Sequence, residues 1–446
     1  MLKQINKTYF VFATFCYALI GILFPVEMTA LYVVNYLTVI VFVLFLQNLC
    51  EKPQAYFTSR KLTFLVFAYS ACFIICYNFI SWYYTGNLYV FSVFDAMVYN
   101  DEATTMSDMS FTDGIDYFLK RYEAEDLGMT IVLGFLYKIV SSKIMLSIFY
   151  TLLAVVTARA IFSVSQQFMS VKYAFLCAVV YSFSSYVLWF HSSGLKESML
   201  VTLITLFYSH YYRLSSVRRS VSFVWMIAIA LSLLLFRPVL AVFCGASLVL
   251  GVLLSRKLTA VQVFFIVAAM LVGIYFLETI MSSADRFLLG GTDAMLDNKQ
   301  MSGMVKGSVA FTYLVNILSS LFGPFPSVLS SKIHLSFFAP GLLFKLFISL
   351  AFWFGFIHII KIRLHKAYPL LGFIILEMAS LTYILEGLEL RKSIPHFPLV
   401  YIIAFSYIYR FDNNLLLTIK NHLFYKRSFH VLGFLLCALT LYWNFR

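Results

Sequence analysis

Acidic side chains are concentrated in one short stretch of this chain. Residues 84–127 hold nine of the 20 Asp and Glu residues found among all 446 positions. Within that stretch, the segment DAMVYNDEA at 95–103 brings Asp95, Tyr99, Asp101 and Glu102 into little more than two helical turns. Carboxylates in this setting can take a proton from a hydroxyl nucleophile. They could also hold a divalent cation, Mg²⁺ or Mn²⁺, that neutralises a leaving phosphate, and the sequence predicts no other cofactor.

The elements that must position these residues are strongly apolar. Hydrophobic residues make up 62% of the chain and charged residues 12%, and the mean hydropathy is +0.88. A soluble globular domain is nearer half apolar and a quarter charged. Apolar runs of about 16–25 residues recur along the chain, and each is long enough to cross a bilayer as a helix. The composition therefore predicts an all-α, polytopic transmembrane helix bundle, with about 13 spans and a range of about 11–14.

The net charge of +13 follows the same pattern. The Lys and Arg residues lie in short clusters between apolar runs, as expected for cytoplasmic loops under the positive-inside rule. More than half of the 33 basic residues fall on loops assigned to the inside, where the only acids are Glu51 and Asp412. This distribution predicts a cytoplasmic N-terminus, an external C-terminus and membrane lipids as neighbours, and no nucleic-acid partner. The seven cysteines lie in or beside apolar runs and are interpreted as lipid-facing or core residues.

Span lengths and basic clusters divide the chain into five segments. Residues 1–83 form spans one to three, and 84–142 form an acidic external loop with a juxtamembrane helix over 128–141. Residues 143–280 form a transmembrane bundle in which one continuous span covers 172–190. Residues 281–339 form a second external loop and a surface segment broken at Gly323, Pro324 and Pro326. Residues 340–446 form the C-terminal bundle.

This topology places several other polar residues on the same outer side as the acidic stretch. Arg and Lys bind phosphate oxygens, Arg with two hydrogen bonds, so the mouths of the spans are candidate substrate- and phosphate-binding positions: His191, Lys196, Glu197, Arg237, Arg391, Lys392 and His396. Simpler roles stay open, because Arg237 could extend to the membrane surface and Lys196 and Glu197 could be interfacial anchors. Glu377 and Lys345 lie within predicted spans and could be packing residues or mark a transport path.

Some of these motifs resemble the GT-C superfamily of membrane glycosyltransferases. DAMVYNDEA resembles the D-x-x-x-Y-x-x-x-A pattern of bacterial members, and LRKSIPHFPLV resembles their R-Y-x-x-P-x-x-P helix start through Arg391, Pro395 and Pro398. The run from residue 129 resembles the juxtamembrane helix of the dolichyl-phosphate-mannose mannosyltransferase-like group. The resemblance implies that Asp95 is the catalytic acid or base, with Tyr99 beside it. The sequence departs from the pattern at Lys392, and Asp101 with Glu102 remains an alternative base.

The resemblance implies an enzyme of the bacterial inner membrane with a periplasmic C-terminus. It would transfer a sugar from a polyprenyl-phosphate carrier to a glycan or lipid-linked acceptor, in cell-surface polysaccharide or lipopolysaccharide assembly on the outer face. An O-antigen or capsule repeat-unit polymerase is the rival enzyme, since it shares this size and chemistry. A lipid-linked oligosaccharide flippase or other transporter is the non-enzymatic alternative, and charges deep within the membrane would favour it.

Overall fold

The fold is all-helical throughout the part of the chain that is described. The computed structural model describes residues 1–23, 29–85, 94–120, 127–140, 143–214, 219–255, 309–325, 333–383, 391–413 and 419–445. These ranges contain 17 α-helices, three short 3₁₀ turns and no β-strand. The predicted all-α class is confirmed. Residues 256–308, which cover the end of the predicted 143–280 bundle and the start of the predicted 281–339 loop segment, lie outside the described residues.

The first twelve helices take the chain from its start to residue 255. They are α1 (Leu2–Leu23), α2 (Thr29–Glu51), α3 (Ser59–Thr85), α4 (Phe94–Ser107), α5 (Phe111–Leu119), α6 (Leu127–Ile139), α7 (Lys143–Ser165), α8 (Val171–Ser182), α9 (Ser185–Ser192), α10 (Glu197–Arg213), α11 (Arg219–Leu234) and α12 (Pro238–Ser255). The remaining five are α13 (Val309–Phe322), α14 (Ile333–Lys361), α15 (Tyr368–Tyr383), α16 (Phe397–Asp412) and α17 (Ile419–Phe445).

Several of these helices are long and apolar enough to cross a membrane. Among the described residues, three single helices qualify by length and composition: Ser59–Tyr83, Met145–Ser165 and Phe338–Lys361. Helices α8 and α9 qualify only as a pair, because the chain bends by 56° between them. The single continuous helix expected over 172–190 is therefore wrong, since the chain forms two helices there with a bend between them. Other apolar helices, such as α11 and α12, are shorter, and the total of thirteen spans stays a prediction.

The helices differ in how much apolar surface they bury and how much they expose. α14 packs closely on α16, where a Cβ added at Gly355 would lie 3.1 Å from the backbone oxygen of Ile403. In contrast, α3 and α17 expose large apolar side chains, with 71% of Phe64 and 75% of Phe434 accessible. A soluble protein rarely exposes contiguous apolar faces of this kind, whereas lipid chains would cover them.

Several polar contacts join segments that the predicted topology assigns to the same side. On the expected inner side, Lys172 Nζ donates to the Cys50 carbonyl at 2.7 Å, and Tyr212 donates to the Lys366 carbonyl at 2.6 Å. On the expected outer side, Asn78 donates to Ser147 at 3.0 Å. The contacts agree with the pairing of the helix ends, while the inside–outside assignment itself stays a prediction.

The acidic stretch folds into a small helical unit. α4 and α6 run antiparallel, since Tyr137 donates to Asn100 Oδ1 at 2.5 Å and a Cβ at Gly134 would lie 3.6 Å from the Ala103 carbonyl. The short α5 begins at Ser110, whose hydroxyl accepts from the backbone N–H of Asp113 at 3.2 Å, an N-cap that satisfies a free donor. The helix predicted over 128–141 corresponds to α6.

α13 ends where its sequence predicts, immediately before Gly323 and Pro324. Its last carbonyls would lack partners, but Trp353 Nε1 donates to the Leu321 carbonyl at 3.0 Å and Lys345 Nζ donates to the Phe322 carbonyl at 3.1 Å. These contacts place the end of α13 along α14, within the helix bundle.

Candidate functional site

Two residues singled out from distant parts of the sequence form an ion pair. The guanidinium of Arg391 donates to the carboxylate of Asp95, 296 positions earlier in the chain. Asp95 lies in the first turn of α4, where a negative charge also favours the helix N-terminus. Arg391 lies in the turn that leads into α16. Their side chains are 37% and 28% exposed, so the pair is partly shielded but open to a ligand.

The other residues of the acidic motif lie on α4 away from this pair. Tyr99 is buried on the face of α4 that contacts the bundle. Asp101 is exposed and accepts a hydrogen bond from Asn100 at 3.2 Å. Asp101 and Glu102 lie six and seven residues beyond Asp95, about 9–10 Å along the helix. The Asp95 carboxylate is the acidic group of this motif that the structure places against Arg391.

A second ion pair lies deeper in the bundle. Arg237 Nη2 is 3.8 Å from Glu197 Oε1. Glu197 begins α10 and its side chain is only 2% exposed, whereas Arg237, in the turn between α11 and α12, is 18% exposed. Glu197 is thus shielded from any ligand in solution, and Arg237 is the accessible member of the pair. Lys196, half-buried, immediately precedes Glu197.

Glu377 and His396 form a third pair that sequence reasoning missed. His396 Nδ1 lies 3.4 Å from Glu377 Oε2, and both side chains are almost completely buried. Glu377 is in α15 and His396 ends the 3₁₀ turn before α16. Arg237 is close enough to Glu377 to interact with it electrostatically. The sequence marked both residues separately, but it contains no local signal that connects them.

The remaining candidate positions have different surroundings. His191 is buried in the last turn of α9, and its Nδ1 has no hydrogen-bond partner among the described residues. The chain then turns at Gly194, whose φ of 78° is a left-handed conformation that suits glycine. Lys392 is half-buried next to Arg391.

Helix α6 separates the candidate residues into two clusters. At one end, the Gly128 N–H donates to the Leu235 carbonyl at 2.9 Å, beside Arg237. Nine residues later, Tyr137 contacts Asn100 of α4, about 13 Å further along the axis. Asp95 lies beyond Asn100 in the same direction because α4 and α6 are antiparallel. We call Asp95 with Arg391 the outer pair, and Glu197, Arg237, Glu377 and His396 the inner cluster.

The described residues offer no ready-made metal site. In the ranges given above, no three His, Cys, Asp or Glu side chains come close enough together to hold a metal ion. Asp95, one of the carboxylates that could hold Mg²⁺ or Mn²⁺, contacts Arg391.

Comparison with characterised proteins assigns this chain to no family. No known protein family, curated protein or solved structure matches the chain. The motif resemblance to the GT-C superfamily therefore serves as a hypothesis, and function must be argued from the residues themselves.

Proposed function

We propose that this protein is an integral membrane glycosyltransferase that uses a polyprenyl-phosphate-linked sugar as donor. Its product would enter cell-surface polysaccharide or lipopolysaccharide on the extracytoplasmic face of a bacterial inner membrane. The observation that carries the proposal is the outer pair, because it brings a carboxylate and a guanidinium together at a partly exposed position. Sugar transfer from a lipid phosphate needs both groups, one to take a proton and one to bind the leaving phosphate.

The outer pair suggests how the reaction would proceed. As the acceptor hydroxyl attacks C1 of the donor sugar, its proton passes to the Asp95 carboxylate and the bond between C1 and the phosphate oxygen breaks. The leaving polyprenyl phosphate gains negative charge, which the Arg391 guanidinium can stabilise with two hydrogen bonds. Arg391 would therefore exchange Asp95 for phosphate during the reaction, which frees the carboxylate to accept the proton.

The surroundings of the pair suit a substrate with a lipid tail. Apolar helices with exposed faces, such as α3, lie in the same bundle as the short helices of the acidic stretch. A polyprenyl chain could lie along such a face while its phosphate and sugar reach the polar end. The same reasoning applies to a repeat-unit polymerase, whose donor is also lipid-linked, so that enzyme remains a variant of the proposal.

A transporter of lipid-linked oligosaccharides is a second candidate, and one observation favours it. Glu377 and His396 are buried ionisable residues in an apolar bundle, a feature that often marks a transport path. Lys345, the other charge within a span, does not add to this evidence because backbone carbonyls at the end of α13 bind it.

A reconstituted assay separates the two candidates. The purified protein in liposomes is supplied with a synthetic polyprenyl-phosphate sugar and a lipid-linked acceptor, and the products are followed by mass spectrometry. A glycosyltransferase releases free polyprenyl phosphate and lengthens the acceptor. A transporter moves the lipid-linked sugar between leaflets, detected by a membrane-impermeant lectin, and leaves its covalent structure unchanged. Translocation without bond cleavage would overturn the proposed function.

A further inference from the structure

Two of the candidate residues, Arg391 and Arg237, are arginines whose guanidinium groups have different hydrogen-bond partners. Arg391 donates to Asp95. Arg237 has its ion partner, Glu197, at 3.8 Å, which is beyond hydrogen-bonding distance. No side chain in the described part of the protein accepts a hydrogen bond from the Arg237 guanidinium. A guanidinium has five N–H donors, and at 18% exposure those of Arg237 can reach a ligand, so this group is suited to an anionic ligand.

The backbone around Arg237 holds it firmly in position. Its N–H donates to the Leu233 carbonyl at 2.8 Å, and its carbonyl accepts from the Leu240 N–H at 3.0 Å. The first turn of α6 covers the same turn, because a Cβ at Gly128 would lie only 2.8 Å from the Leu235 carbonyl. The guanidinium thus starts from a fixed backbone between α6 and the helices α11 and α12.

A nearby carboxylate and apolar surface define the kind of ligand. Glu197 balances the charge of Arg237 from the buried side, which lowers the cost of holding a guanidinium there without ligand. Leu235, two residues before Arg237, is 41% exposed, and α11 and α12 expose further apolar side chains. A positive group beside an apolar face suits an anion attached to a lipid.

The turn that holds Arg237 and the helix α4 contact α6 at different points along its axis. The contacts that locate Arg237 and α4 are about 13 Å apart on α6, and Asp95 lies still further away. Hydrogen bonds from guanidinium to phosphate are about 2.7–2.9 Å long, so backbone positions this far apart suit two phosphates better than one. A reaction between two lipid-linked substrates, however, involves two phosphates.

We propose that Arg237 forms a second anion subsite, which binds the phosphate of the lipid-linked acceptor while the outer pair acts on the donor. This inference rests on the proposed function, since the donor and acceptor are those of the glycosyl transfer. The glycan of the acceptor would span the distance along α6, from its phosphate at Arg237 to its reacting hydroxyl near Asp95.

The test counts the binding sites for polyprenyl phosphate. Polyprenol, which lacks the phosphate, is measured in parallel, so that a site that binds only polyprenyl phosphate is identified as phosphate-dependent. Native mass spectrometry of the purified protein should show two phosphate-dependent ligands in the wild type. Arg237→Gln should weaken one of them on the order of 10- to 100-fold, the value of a lost charge-assisted pair. Arg213→Gln removes an exposed arginine on the expected inner side and should leave both intact.

A second measurement needs no variant, so it remains decisive if Arg237→Gln fails to fold. Phenylglyoxal modification of Arg237 in the wild type, mapped by peptide mass spectrometry, should be blocked by polyprenyl phosphate. Polyprenol, inorganic phosphate and an anionic phospholipid at equal concentration should not block it. Equal protection by the phospholipid or by inorganic phosphate would show a general anion contact and overturn the inference.

The outcomes distinguish the inference from the proposed function. If the wild type binds polyprenyl phosphate and Arg237→Gln binds it equally well at every site, the acceptor subsite is wrong while the proposed function stands. If the wild type binds polyprenyl phosphate no better than polyprenol, both are overturned.

Discussion

The carboxylate of Asp95 and the guanidinium of Arg391 meet across 296 residues of sequence and connect the acidic stretch to the start of α16. Both side chains are partly exposed, so the pair contributes little to stability, on the order of 1 kcal/mol or less. Variants of the pair can therefore be compared for chemistry without a large loss of stability.

Exchanging the two partners separates a structural role from a chemical one. Asp95→Arg alone should lower stability, because it places two guanidinium groups side by side. Adding Arg391→Asp should restore the thermal unfolding temperature by re-forming the pair in reverse. Sugar transfer should stay abolished, since the carboxylate would then lie on the wrong segment. A double variant with restored transfer would show that the pair is only a structural link.

Lys345 is expected to be a structural residue. Its ammonium is buried, donates to the carbonyls of Phe322 and Gly323, and lies 4.3 Å from the centre of the Phe397 ring. Lys345→Met should lower the free energy of unfolding by about 2–4 kcal/mol, because the last carbonyls of α13 lose their donor. The measurement is unfolding of the detergent-solubilised protein by SDS titration.

The matched control for that experiment is Lys361→Met at the exposed end of the same helix, which should change stability little. A wild-type stability for Lys345→Met, combined with loss of translocation, would instead place Lys345 on a transport path.

Gly128 is expected to be required for the contact between α6 and the α11–α12 turn. A methyl group there would lie 2.8 Å from the Leu235 carbonyl and from the Phe236 ring. Gly128→Ala should destabilise the protein by about 1–3 kcal/mol because the backbone would have to shift. Gly134→Ala, on the same helix, meets the Met106 side chain at 3.4 Å and the Ala103 carbonyl at 3.6 Å, both ordinary contact distances, and should be neutral or slightly stabilising. Equal thermal stabilities for the two variants would contradict this packing.

Some of this arrangement follows from sequence and some does not. α13 ends at Phe322 because a Gly-Pro pair follows, which is a local signal. The extent of α6 also follows a local signal, a short apolar run. The bend between α8 and α9 falls in YSFSSYV, which contains neither Gly nor Pro, so local reading predicted a continuous helix. The Glu377–His396 pair depends on how α15 and α16 pack, and a single sequence carries no record of that packing.

The inside–outside assignment can be tested by cysteine labelling. In a variant with the native cysteines replaced, Thr112→Cys in α5 should react with a membrane-impermeant maleimide in intact cells, because the acidic stretch is expected outside. Gln54→Cys, in the basic loop after α2, should react only after the membrane is permeabilised. The opposite labelling pattern would invert the topology and move the outer pair to the cytoplasmic side.

The most direct test of the central claim is the rate of sugar transfer by Asp95→Asn in the reconstituted assay. Asparagine keeps the size of the side chain but cannot accept the proton, so the rate should fall by about 10²–10⁴-fold while the unfolding temperature stays near that of the wild type. Asp108→Asn removes an exposed carboxylate just beyond α4 and should transfer sugar at the wild-type rate. Wild-type transfer by Asp95→Asn would contradict the assignment of Asp95 as the catalytic base.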